Sequence, residues 1–180
     1  MQRIPPVDTN QPPEQAAPLL AAVKSKMGMV PNLMATLANA PVALQSYLDF
    51  SGDLQQGALP ARLREQIALA VANRNGCQYC ASAHAMLGKQ AGLSEDDIRS
   101  GLGGEAGDPQ ENAALRFAVA IVERRGQVSD RDLEAVRNTG FDDGEIVEII
   151  AHVVLNTFTN YLNNVANTDI DFPVVSLKTA

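Results

Sequence analysis

Tryptophan is absent from this 180-residue chain, aromatic residues make up only 4%, and there are just two cysteines and two histidines. With so few rings, a core has to be assembled from Ala, Leu, Val and Ile, and the prominence of Ala among them favours helix over sheet. No stretch sustains the alternation of apolar and β-branched residues that a strand requires, so no sheet is expected. Two cysteines cannot form a disulfide framework, and a chain of this length can bury a core without one. Apolar runs such as Ile67 to Ala72 are far too short to span a bilayer. The opening Met-Gln-Arg-Ile-Pro-Pro-Val-Asp lacks the apolar segment of a secretory signal, so a cytoplasmic location is expected. In that reducing setting a pair of cysteines points to catalysis or metal binding before it points to a staple.

Positive charge is also in short supply. Fourteen Lys and Arg stand against 21 Asp and Glu, giving a net charge of −7 and a pI near 4.7. Such a surface repels phosphate backbones and anionic lipid, which argues against nucleic-acid and membrane partners. What is present, 46% apolar and 19% charged residues, is the composition of a globular chain.

Pro5, Pro6, Pro12 and Pro13 make residues 1–13 an extended arm. Helical periodicity then predicts helices near 14–27, 32–38, 41–56, 60–74, 77–91, 94–102, 109–125, 129–138 and 142–166. Pro41 and Pro60 suit first-turn positions, and Asn75-Gly76 breaks the chain after 60–74. Ser94 with Asp97, and Ser129 with Asp132, read as capping boxes. Residues 167–180 form a Pro-containing tail, free to wrap a neighbour or to stay mobile. The expectation is a single all-α domain over 1–180, a compact multi-helix bundle. The pairs 60–74 with 77–91 and 129–138 with 142–166 leave room for a duplicated helical hairpin.

The chemistry concentrates in Asn75-Gly76-Cys77-Gln78-Tyr79-Cys80-Ala81-Ser82-Ala83-His84. On a helix, Cys77 to Cys80 is a step of about 300°, Cys80 to His84 about 400° and Cys77 to His84 about 700°, so the three side chains share one stripe. A thiolate is the reactive form of cysteine, and a free thiol with a pKa of about 8.5 is mostly protonated at neutral pH. Free N–H groups of a first helical turn favour the thiolate, and an imidazole one turn on can take its proton directly or through water. If peroxide oxidises one sulfur to a sulfenic acid, the other can condense with it before over-oxidation. Glu65 lies twelve residues before Cys77, ahead of an all-apolar run, so it falls at the edge of the interior. There it can fix the tautomer of His84 and stabilise its protonated form.

Glu65, twelve residues to Cys77, Cys-x-x-Cys and a His four residues on resembles the alkyl hydroperoxidase D-like family of the carboxymuconolactone decarboxylase superfamily. Gly28-Met29-Val30-Pro31-Asn32, Leu63-Arg64-Glu65 and Asn156-Thr157-Phe158-Thr159-Asn160-Tyr161 are similar to its peroxidase-related branch, so the likeness covers most of the chain. The resemblance implies an all-α fold, homo-oligomers, and reduction of hydrogen peroxide or small organic hydroperoxides, with Glu65 and His84 as proton relay. It also implies Cys80 as the attacking sulfur and Cys77 as the resolving one. No bound cofactor is implied; electrons would come from an external dithiol, in the family a lipoylated protein. The residue before the second Cys, often His there, is Tyr79 here, which bears on donor and substrate more than on the thiol chemistry.

Other readings compete for these residues. Cys77, Cys80 and His84 could ligate zinc with Glu65 or His152, although three ligands on one helix is unusual for a structural site. Glu65 could pair with Arg62 on the surface. The pair could serve a non-catalytic redox sensor, or the fold could carry lactone decarboxylation, which needs no paired cysteines. His152, Asn156, Asn160 and Asn164 form a polar ladder that reads first as a solvated or subunit-facing stripe and second as a substrate contact. Met27, Met29 and Met34 read as gap-filling core before a sulfur-rich binding face, and Tyr79, on the side away from the sulfurs, as packing first and a lining residue second.

Overall fold

Helix boundaries in the computed structural model, which describes residues 2–178, follow the local chemistry closely. Met1, Thr179 and Ala180, the extreme ends of the arm and tail, lie outside the described residues. Those residues carry nine helices and no strand: α1 (Ala17–Met27), α2 (Asn32–Leu37), α3 (Pro41–Leu54), α4 (Ala61–Arg74), α5 (Gln78–Gln90), α6 (Glu95–Leu102), α7 (Pro109–Arg124), α8 (Asp130–Arg137) and α9 (Asp143–Ala166). The protein is all-α, as the scarcity of β-patterned sequence implied. α1 starts later than its periodicity suggested because Pro18 occupies the first turn, where a missing N–H costs nothing. Pro60 is not inside α4 but caps it in extended geometry. Ser94 and Ser129 close capping boxes with Asp97 and Asp132, and Asp142 with Glu145 forms a third at the start of α9.

α4 is the axis of the fold. Ile67 through Ala72 are all buried, and the helix packs against α5, α6, α7 and α9. One of its faces, with Leu69 and Ala72, belongs to a core shared with α1, α2, α5 and α6. The opposite face, with Leu63, Ile67, Ala70 and Val71, belongs to a second core with α7 and α9. Four alanines on one helix let neighbours approach from several sides at once, which places the N-terminus of α5 deep inside the molecule.

Arm and tail both run along the chain's own surface. Arg3 N–H donates to Ala166 O at 2.7 Å and Val7 N–H to Ala35 O at 3.0 Å. The tail, expected to wrap a neighbour or move, instead folds back over α2 and α5. Asp171 accepts the Asn32 N–H at 2.7 Å, Val175 N–H donates to Ser82 Oγ at 3.1 Å, and Phe172 is buried against Tyr79. Burial of Phe172 and these hydrogen bonds offset the entropy lost in ordering the segment. Among the described residues no helix is long and apolar enough to cross a membrane.

Candidate active site

The turn between α4 and α5 sets the site. Gly76 takes a left-handed backbone, φ 65°, which a side chain would resist, and this reverses the chain after Asn75. Cys77 is then the N-cap of α5 (φ −94°, ψ 93°) and not a residue of its first turn, as helical spacing had suggested. Its side chain folds over that turn, and Sγ accepts the Cys80 N–H at 3.3 Å, the usual task of a capping Ser or Asp. The two sulfurs lie 2.7 Å apart, and both are free thiols. Cys77 is fully buried and Cys80 is 2% exposed.

Glu65, in the second turn of α4, reaches across to α5. His84 Nδ1 donates to Glu65 Oε2 at 2.7 Å, which fixes the tautomer. Arg62, the alternative partner of Glu65, pairs instead with Asp97 and Glu111 at 2.9 and 3.0 Å. The structure therefore brings all four sequence-predicted residues into one cluster.

The two thiols are driven in opposite directions. For Cys77, donation of its proton to Cys80, followed by burial, pushes the pKa well above the ordinary thiol range. Burial also pushes Cys80 up, but the hydrogen bond from Cys77, the positive charge of His84 and the amides of Asn163 and Asn160 outweigh it. Its pKa falls to about 7. Burial pulls His84 down, yet the charge and hydrogen bond of Glu65 and the neighbouring Cys80 raise it overall. Both shifts act in the same sense, favouring a Cys80 thiolate beside a His84 ring whose positive charge Glu65 supports.

α9 supplies a wall that the sequence indicated only in part. Asn163 Nδ2 donates to Cys80 Sγ at 3.3 Å, and Asn160 accepts from Asn75 Nδ2 at 3.0 Å. Asn156 is a further, smaller influence raising the His84 pKa, and its Nδ2 donates to His152 O at 2.8 Å. His152 is buried, and burial followed by the charge of Arg64 lowers its pKa to about 4, so it stays neutral. The ladder faces the site, not solvent, with one exchange: Asn163 takes the place expected for Asn164, which is exposed and bonds Asn75 O. Helical spacing puts Asn163 and not Asn164 on the face of His152, but it does not say what that face meets. At about 100° per residue Asn163 lies some 20° from His152 and Asn164 some 120°.

A cavity of about 410 Å³ opens onto this cluster, lined by Cys80, His84 and Glu65 with residues of α1, α2 and α3, Tyr79, Thr159 and Phe172. Tyr79 both packs and lines: its ring meets Phe172 edge-on at 5.6 Å, and its hydroxyl accepts the Leu33 N–H at 3.1 Å. Met34 is core, but Met27 and Met29 are more than a third exposed, because α1 ends at Gly28 beside the opening. Tyr47, which the sequence did not single out, also lines the cavity; burial and then the Cys80 charge raise its pKa to about 12, so it remains a neutral donor. A separate cleft of about 480 Å³ between α7 and α8 contains none of the four site residues. Among the described residues no three of His, Cys, Asp and Glu converge to hold a metal ion.

This geometry can be set beside known proteins. The model of the carboxymuconolactone decarboxylase family matches residues 41–123, which run from α3 to α7 and include Glu65, Cys77, Cys80 and His84. A peroxidase-related protein from Ralstonia eutropha JMP134 with the alkylhydroperoxidase AhpD core superposes with a TM-score of 0.83 at 26% identity, over 94% of this chain and 92% of the other. A peroxidase-related protein from Silicibacter sp. TM1040 gives 0.80 at 23% identity, over 93% and 92%. The debrominase Bmp8 bound to 2,3,4-tribromopyrrole gives 0.81 at 18% identity, over 95% and 92%, a likeness of fold. No curated protein matches the chain. Residues 41–123 thus carry the carboxymuconolactone decarboxylase family match, and the chain as a whole shares the fold of a peroxidase-related protein with the alkylhydroperoxidase AhpD core.

Proposed function

We propose that this protein is a two-cysteine hydroperoxidase. The observation that carries the reading is a buried pair of free thiols 2.7 Å apart, one of them lining a cavity and biased towards thiolate. Cys80 thiolate attacks the terminal oxygen of a hydroperoxide, the O–O bond breaks, and the leaving alkoxide or hydroxide takes a proton from the His84–Glu65 pair. The resulting Cys80 sulfenic acid meets the Cys77 thiol. A disulfide forms, water leaves, and an external dithiol reduces the disulfide by exchange. The protonated state of Cys77 suits this order, since the poorer nucleophile waits until an electrophilic sulfur appears beside it. A lipoyl group on a partner protein is the donor expected from the family resemblance, and the cytoplasm the expected compartment. No bound cofactor is needed.

We also propose a homo-oligomer joined through α9. Val147, Ile150, Val154, Phe158, Tyr161 and Val165 recur at three- and four-residue spacing and are exposed, and no charged residue follows Glu148 in that helix. An uncharged stripe of this kind can pack against its own copy without leaving a buried ion.

The test is peroxide consumption with dihydrolipoate as reductant. The wild-type protein should turn over, and Cys80→Ser should lose activity altogether while remaining folded. Undiminished consumption by Cys80→Ser would overturn the scheme, and a wild-type protein that reacts once and then stops would make the pair a sensor.

A further inference from the structure

We propose that the hydroperoxide taken by this site is amphipathic and carries a carboxylate, with its apolar body in the cavity and the carboxylate on Lys26. This rests on the hydroperoxidase reading of the same centre.

Size comes first. At about 410 Å³ the cavity is far larger than hydrogen peroxide needs, given about 30 Å³ for a water molecule in the liquid, and it falls in the range that encloses an organic ligand. Its walls are mostly hydrocarbon, with Val23, Leu33, Met34, Leu48, Leu87 and Phe172 among them. They offer a small polar peroxide little but remove the chain of an organic one from water.

Charge gives the orientation. The floor holds the Cys80 sulfur and the Glu65 carboxylate with one imidazole between them, so a second carboxylate placed there is repelled. A neutral –OOH group is not. Among the described residues Lys26 is the one lysine or arginine that lines the cavity. It is exposed in the last turn of α1, and its Nζ donates to the neutral amide of Gln55 at 2.8 Å, not to a carboxylate. Its charge is therefore available to a ligand. A substrate with an acid at one end and a hydroperoxide at the other fits only with the acid outward, which delivers the O–O bond to Cys80. The O–O bond breaks, sulfur takes the terminal oxygen, the alkoxide takes a proton from the His84 imidazolium, and the product is the corresponding hydroxy acid. The carboxylate is unchanged.

The test separates binding from turnover. Octanoate and 1-octanol are titrated calorimetrically into the reduced wild-type protein and into Lys26→Met, an exposed substitution that spares the core. Octanoate should bind about three- to fivefold more weakly to the variant, the scale of a solvent-exposed ion pair. Octanol should bind both alike, and added salt should weaken octanoate in the wild type only. An equal effect of the substitution on both ligands, or binding of neither, would overturn the proposal. Turnover of an ω-hydroperoxyoctanoate and its methyl ester then reports on chemistry. KM for the acid alone should rise about three- to fivefold in Lys26→Met, with kcat unchanged. Consumption of neither compound, with octanoate binding intact, would remove the hydroperoxidase reading and leave the anion site standing.

Discussion

Four neighbours act on the Cys80 sulfur against the burial that would keep it protonated: the Cys77 thiol, the His84 ring held by Glu65, and the amides of Asn163 and Asn160. Because reactivity follows the thiolate fraction, the rate of alkylation or peroxide attack should rise with pH through an inflection near 7. His84→Gln removes the positive charge, so the inflection should move up towards the ordinary thiol range, and the rate at neutral pH should fall on the order of tenfold, one pKa unit of interaction. A pH–rate profile of the variant checks this, and an unmoved inflection would take His84 out of the relay. At this scale the sequence was readable where one helix holds the partners: Cys80 and His84 are one turn apart. It was not readable for Asn163, whose role depends on which face α9 turns towards α5.

Among the helices, starts are fixed by short-range chemistry. Ser94 Oγ accepts the Asp97 N–H at 3.1 Å, and the Asp97 carboxylate accepts from Ser94 N–H at 2.9 Å. Hydrogen bonds from Ser94 and the nearby Arg62 hold the Asp97 carboxyl down at about 2. A folded-state pKa below the unfolded value of about 3.9 means that this contribution is complete above that pH and is lost as pH falls towards 2. Ser94→Ala should cost about 1 kcal/mol in denaturant unfolding at neutral pH. It should also flatten the loss of stability between pH ~4 and ~2, since its partner carboxylate is less perturbed. Such caps were legible as residue spacing because both partners sit within four residues of chain. Pro60 suits the first turn of α4 by its spacing but caps the helix instead, as its extended ψ of 148° shows.

For the whole molecule, α4 joins two cores, and Leu69 is fully buried where α4 meets α6. Leu69→Ala should destabilise the fold by about 2–5 kcal/mol in denaturant titration. The outer stripe of α9 makes a separate prediction. Val154, 54% exposed, can become lysine without entering either core. Val154→Lys should lower the oligomer mass in sedimentation while leaving the helical circular dichroism unchanged; an unaltered mass would place the interface elsewhere.

Composition and spacing determined the all-α class, the order and approximate limits of the helices, and the grouping of Cys80 with His84, because each is a matter of neighbours along one helix. Burial of Ile67 to Ala72 was equally written in the sequence as an all-apolar run. Tertiary structure alone decided that Cys77 caps α5 and folds its sulfur back, that the face of α9 carrying Asn163 meets Cys80, that the tail closes over α5, and that α1 walls a cavity with Lys26 at its opening. Each joins groups far apart in the chain or turns on a single backbone angle. Such outcomes are fixed by packing, which no local pattern encodes.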